Sequence, residues 1–188
     1  MTALPKHRMT VEEFVPWAMA QPKGRYELVG GQVFAMAPER ARHNLVKLAV
    51  ARSMQDAVRR AGLDCTVFTD GMTVRIDETT AREPDASLQC GVALDLDCVV
   101  LVAPLLVVEV VSPTSERDDT GAKVAEYFSV PSIRQYLIVD PLKPVVIHHR
   151  RDVAGAILTS IHSAGILGID PPGFELAVVD LLGPVART

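Results

Sequence analysis

Two carboxylates in this chain are awkward to explain as structure alone. Glu109 stands inside Leu105–Val111, a run with six apolar residues of seven, four of them valine. That pattern reads as a strand buried on both faces. An ionised acid there costs several kcal/mol unless a partner or a metal compensates it. Asp85 follows Glu83-Pro84 just ahead of another short apolar stretch. Acids on two neighbouring strand ends, with the backbone carbonyl of Val110 as third ligand, would suit Mg²⁺, which takes one or two carboxylates and keeps several waters. Mn²⁺ is the natural substitute. Taken singly, Asp85 could instead be a turn residue and Glu109 a hydrogen-bonded buried acid.

A cation source follows the apolar run. Lys123 is four residues after Asp119 and four before Tyr127, so the three share a helix face. One reading is a surface Asp–Lys pair. The other points Lys123 at the metal site, where an ammonium would hold an attacking water and offset charge growing in a transition state. Elsewhere the chemistry is thin. His43 is either a helix-start surface residue, the reading favoured here, or a phosphate contact. His148 and His149 fall on opposite faces of a strand and cannot form a paired site. Ser112, Ser115 and Cys98 lack the flanking motifs of a nucleophile.

The elements that must position these groups alternate between helix and strand. Thr10 and Glu13 form a capping-box pattern that predicts a helix over 11–20. Strands at 25–29 and 32–36 flank Gly30-Gly31, a hairpin signal. The longest helix spans about 41–61, with Val46, Val50, Met54, Ala57 and Ala61 on one face. Arg40, Arg42, Lys47, Arg52, Arg59 and Arg60 make it basic, which reads as a solvated face or, alternatively, a phosphate-facing surface. Strands at 65–69 and 72–76 join at Asp70-Gly71, a second hairpin signal. Further strands are expected at 82–88, 98–102, 133–140 and 144–150, with a helix from Asp118 to Phe128. The tail carries short strands at 156–161 and 174–179 among turns.

Length and composition bound the rest. With 188 residues, 48% hydrophobic and 22% charged, the chain reads as one globular domain over 1–188. A net charge of −4 discourages a bulk electrostatic nucleic-acid binder without excluding local patches. Cys65, Cys90 and Cys98 lack paired spacing, which argues against a disulfide scaffold or zinc site and for a reducing compartment. No apolar run approaches the roughly 18 residues needed to cross a bilayer, and the first ten residues lack a signal-peptide core. The expectation is a cytoplasmic protein.

Pro84-Asp85 followed by Glu109 resembles the PD-(D/E)XK signature of the restriction-endonuclease-like nucleases. More closely, the chain resembles the Uma-type restriction endonuclease family. The resemblance runs from about 9 to 150, through Tyr26-Glu27-Leu28, Gly30-Gly31, His43, Pro84-Asp85, Val108-Glu109-Val110 and Ser112-Pro113. It continues with Asp119, Lys123, Tyr127, Gln135-Tyr136 and Val139-Asp140-Pro141. It implies a mixed α/β fold: a central mixed β-sheet flanked by helices, with residues 151–188 as an extension of short strands. Val111 stands where the superfamily signature expects lysine, and the resemblance implies that Lys123 on the following helix replaces it. Glu27 matches an acid that many such nucleases add as an extra metal or water ligand.

The resulting expectation is a Mg²⁺-dependent endodeoxyribonuclease. Asp85, Glu109 and the Val110 carbonyl hold the cation, Lys123 activates or orients water, and Glu27 assists. The alternative is a catalytically inactive nuclease-fold module that binds nucleic acid or a protein partner. A third possibility is hydrolysis of a smaller phosphoester. By analogy with restriction endonucleases a homodimer is expected, with Phe174–Val179 as a candidate surface.

Overall fold

The computed structural model describes residues 4–93, 95–112 and 121–183. Helix α1 (Val11–Met19) starts with the expected capping box: Glu13 N donates to Thr10 Oγ1 at 3.3 Å and Thr10 N to Glu13 Oε2 at 2.9 Å. Strands β1 (Tyr26–Val29) and β2 (Gln32–Ala35) pair antiparallel across Gly30 and Gly31, both at positive φ. A side chain at Gly31 would also press on Arg8 and the Met9 carbonyl, so glycine is doubly required there. Phe14, Leu28, Val33 and Ala81 close a small core between α1 and this hairpin.

Helix α2 (Ala41–Ala61) leads through Gly62 into β3 (Cys65–Thr69), followed by β4 (Val74–Arg75), β5 (Ala81–Arg82) and β6 (Ala86–Cys90). Next come β7 (Pro104–Val110), α3 (Ala122–Ser129), β8 (Gln135–Asp140), β9 (Val145–Arg151) and β10 (Ile157–His162). The chain then forms β11 (Ile166–Ile169), β12 (Phe174–Ala177) and a last helical turn, α4 (Val178–Leu182).

The strands form a central six-stranded sheet, ordered β10-β9-β8-β7-β6-β3, a four-stranded sheet, β2-β1-β5-β4, and the β11-β12 pair. In the central sheet β7 and β8 run parallel and the other neighbours antiparallel. This is the mixed α/β, restriction-endonuclease-like architecture: a central mixed sheet with helices against it. Side-chain alternation along β7 assigns its two faces. Leu106, Val108 and Val110 pack with Val46, Val50 and Met54 of α2. Val107 and Val111 pack with Tyr127 and Phe128 of α3. Glu109 therefore faces the α3 side.

Several expectations need correction. The strands around Asp70-Gly71 are no hairpin: β3 pairs with β6 in the central sheet, whereas β4 pairs with β5 in the smaller one. The strand expected over 82–88 is interrupted at Glu83–Asp85, which takes those acids out of the ladder. Only a Thr73–Val100 bridge remains of the strand expected at 98–102. The helix expected from Asp118 is described from Ala122; Asp118, Asp119, Ser115 and Pro113 lie outside the described residues. Cys65 and Cys90 are disulfide-bonded, because antiparallel register sets them directly opposite on β3 and β6. Phe174–Val179 is not a free apolar surface, since Phe174, Leu176 and Val178 are buried in the core against α2.

Candidate active site

The site forms where β7 ends and the chain enters β6. Asp85 Oδ2 accepts a 2.7 Å hydrogen bond from the backbone N of Val110, the residue after Glu109. This ties one acid to the strand that bears the other. On the α2 side, His43 Nε2 lies 3.3 Å from Asp85 Oδ2 and 2.8 Å from the Val110 carbonyl oxygen. Lys47 Nζ lies 3.3 Å from Asp85 Oδ1 and donates to Asp70 Oδ2 at 2.7 Å and to Glu39 Oε1 at 2.5 Å. Arg25 completes this cluster through ion pairs to Glu39, Asp70 and Glu83.

On the α3 side, Glu109 Oε1 accepts from Lys123 Nζ at 2.8 Å and from the Tyr127 hydroxyl at 2.6 Å. The one-turn spacing of Lys123 and Tyr127 brings both to a single carboxylate oxygen. Lys123, Tyr127 and Glu109 are all buried. Among the described residues, Asp85 and Glu109 thus draw their side-chain donors from different helices, α2 and α3.

Glu27 lies one step behind. Its Oε1 accepts from Glu83 N at 3.1 Å and its Oε2 from Arg82 at 3.0 Å. Arg82 in turn makes a two-pronged pair with Glu126 of α3, at 2.7 and 2.9 Å. The guanidinium bridges the smaller sheet to the helix that carries Lys123.

Protonation follows from these contacts. Burial opposes a charged His43, but the Asp85 carboxylate, the Val110 carbonyl and Glu39 outweigh it and raise its pKa. Burial likewise works against the Asp85 carboxylate, yet His43, Lys47 and the Val110 N–H hold its pKa below the usual value. Desolvation would lower Lys47, but Asp70, Asp85 and Glu39 raise it. Tyr127 is pushed well up by burial and by Glu109, so its hydroxyl remains a donor.

His43 and Lys47 are what sequence reasoning missed. His43 is not a surface residue, and Lys47 is buried while Arg40, Arg42, Arg52, Arg59 and Arg60 are exposed. Glu39, His43 and Lys47 recur every four residues, a spacing that puts them along one side of a helix start. That signal was hidden among the arginines. His148 and His149 take separate partners, Gln135 and Thr159, as their opposite faces require.

The donor set fits a hard divalent cation. Asp85 Oδ2 and the Val110 carbonyl oxygen both lie within 3.3 Å of His43 Nε2, and carboxylate and carbonyl oxygens are what Mg²⁺ takes. Among the described residues, no helix is long and apolar enough to cross a membrane.

Comparisons with known proteins bear on the fold and the family. The chain is 24% identical over 176 residues to the uncharacterized protein slr1290 of Synechocystis sp., covering 93% of this chain and 91% of that protein. A crystal structure of a protein from Anabaena variabilis, described as "a putative nuclease belonging to DUF820", superposes with a TM-score of 0.74. It does so at 14% identity, over 93% of this chain and 97% of its own, a likeness of fold. Residues 11–179 match the Uma2 family, described as "Putative restriction endonuclease", and the chain belongs to that family.

Proposed function

We propose that the chain is a Mg²⁺-dependent endodeoxyribonuclease hydrolysing DNA phosphodiester bonds, with Mn²⁺ as a substitute ion. Asp85, Glu109 and the Val110 carbonyl are the residues that would hold the cation. When bound, it supplies charge stabilisation at the phosphodiester and a more acidic water. Lys123, fixed by Glu109 Oε1, orients the attacking water and offsets negative charge developing on the phosphorus oxygens. Tyr127 holds the same carboxylate oxygen and so limits where Lys123 can rest. Glu27 assists from behind, holding Glu83 N–H and with it the backbone entering Asp85.

The single observation that carries this reading is the 2.8 Å contact of Lys123 Nζ with Glu109 Oε1. A lysine absent two residues after the strand acid is supplied from the following helix, so the charge returns to the acid by another route. The test is nicking of supercoiled DNA with Mg²⁺, with chelator, and with Lys123→Ala and Asp85→Asn. Each variant should lose at least about 100-fold in rate, in line with removal of a group that stabilises transition-state charge. Folded, pure Lys123→Ala protein that nicks as fast as its parent sinks the reading.

With this function go a homodimer that presents two sites to two strands, a single domain over 1–188, and a cytoplasmic location. The second reading, a non-cutting module that binds nucleic acid or protein, draws support from the cations already compensating Asp85 and Glu109. Site-linked Mg²⁺ or Mn²⁺ binding at millimolar concentration favours the nuclease, and its absence favours the module.

A further inference from the structure

Glu39, His43 and Asp85 each offer a donor atom, all within 4.8 Å of one another. The two carboxylates are oriented alike by Lys47, which takes Oε1 of Glu39 and Oδ1 of Asp85. Their other oxygens flank the imidazole: Glu39 Oε2 is 3.6 Å from Nδ1 and Asp85 Oδ2 is 3.3 Å from Nε2. The two ring nitrogens point in opposite directions, so one ion cannot use both. Nε2 shares its neighbourhood with the Val110 carbonyl, at 2.8 Å. Separations of 2.8 and 3.3 Å are close to the ~3 Å between adjacent ligands in an octahedral shell with bonds near 2.1 Å. Nδ1 is buried without a hydrogen bond of its own and looks towards a carboxylate. A metal-bound histidine has its tautomer fixed by a hydrogen bond from that nitrogen to such a group, and Glu39 Oε2, 3.6 Å away, is the carboxylate placed to accept it.

We infer that His43 Nε2 is a ligand of the cation held by Asp85 and the Val110 carbonyl, that Glu39 positions its ring, and that the site therefore prefers a first-row transition ion such as Mn²⁺ to Mg²⁺. The inference rests on the metal site proposed above and deepens it. An imidazole nitrogen adds affinity for first-row transition ions, whereas Mg²⁺ gains little from leaving an all-oxygen shell. Glu39 acts through His43 and is a positioning residue.

The test is calorimetric titration of the full chain with MnCl₂ and with MgCl₂, paired with pulsed EPR of the Mn²⁺-loaded protein. The parent should bind Mn²⁺ at least about tenfold more tightly than Mg²⁺ and show nitrogen coupling to Mn²⁺. His43→Ala should lose the coupling and most of the preference while still binding Mg²⁺. His43→Gln, closer in volume, serves if the alanine variant does not fold. Glu39→Gln should keep the coupling but weaken Mn²⁺ binding about tenfold. A parent without nitrogen coupling, or a His43 variant with an unchanged Mn²⁺-to-Mg²⁺ ratio, overturns the inference. If Mg²⁺-dependent nicking persists in that case, the nuclease reading stands. Failure to bind either ion overturns both.

Discussion

Tyr127 and Glu109 meet in a 2.6 Å hydrogen bond on the same carboxylate oxygen that Lys123 holds. Tyr127 is fully buried, and its ring lies 5.0 Å from that of Tyr136. Tyr127→Phe keeps the ring packing and removes one donor from a buried acid. The expected cost is about 2 kcal/mol of stability, as for a hydrogen bond to a charged group. Nicking should slow by about tenfold, because Lys123 keeps its partner but loses a constraint. Urea denaturation and single-turnover kinetics check the two halves separately.

Lys47 is the cation on which three carboxylates converge. Lys47→Met fills similar space but leaves Glu39, Asp70 and Asp85 mutually repelling, and should cost about 3 kcal/mol at neutral pH. The pKa values of Glu39 and Asp85 are depressed in the fold, so their contribution is present above the ordinary carboxylate range and is lost as pH falls through the folded values. The penalty of the variant should therefore shrink below about pH 4. Equal penalties at pH 7 and pH 3.5 would show that Lys47 acts through packing alone.

His148 is built to stay neutral. Its Nε2 bonds Gln135 Oε1 at 2.7 Å, and Gln135 Nε2 donates to the Asp170 carbonyl at 2.8 Å, which fixes the amide's orientation. Burial, with Arg150, His149 and His162 nearby, lowers its pKa to about 4. The unfolded chain takes up that proton first, so the stability it confers is full above about pH 6.5 and erodes as pH falls towards 4. A loss on the order of 3 kcal/mol is expected across that window. His148→Gln should flatten this part of the pH profile in urea denaturation, leaving the carboxylate-driven loss below it.

The Cys65–Cys90 pair sits opposite in register at the β3 edge of the central sheet. Denatured without reductant, the oxidised protein should present one reactive thiol, Cys98, and three after reduction. Counting thiols with a chromogenic disulfide reagent distinguishes the two states. Three thiols in freshly purified, non-reduced protein would mean that the pair remains a dithiol.

Where local chemistry writes the structure, the sequence is readable. The Thr10–Glu13 box, the Gly30-Gly31 turn, the apolar face of α2 and the doubly buried β7 all follow from nearest-neighbour rules. What escapes is set at long range. Asp70-Gly71 has the composition of a hairpin turn, but the strands on either side find different partners in different sheets. Cys65 and Cys90 are 25 residues apart and meet only because β3 and β6 pair. Lys47 looks like one more exposed base until Asp70 and Asp85 fold over it. At the candidate site, Asp85 and Glu109 stand out by residue type and Lys123 only through the family resemblance, whereas the partition of their partners between α2 and α3 needs the alternation of β7 in three dimensions.

The parallel pairing of β7 with β8 has a consequence for how this molecule comes into being. Parallel neighbours cannot be joined by a tight turn, so the chain must cross over between them, and α3 lies in that crossing. The surface that receives α3 includes Ile133, Tyr136 and Ile138, residues synthesised after the helix itself. A nascent chain that has made Glu109 and Lys123 thus still lacks the bed on which they meet. Such non-local pairing forms only after loop-closure entropy has been overcome. A truncated chain ending before β8 would therefore carry both residues without the part of their bed that Ile133, Tyr136 and Ile138 supply.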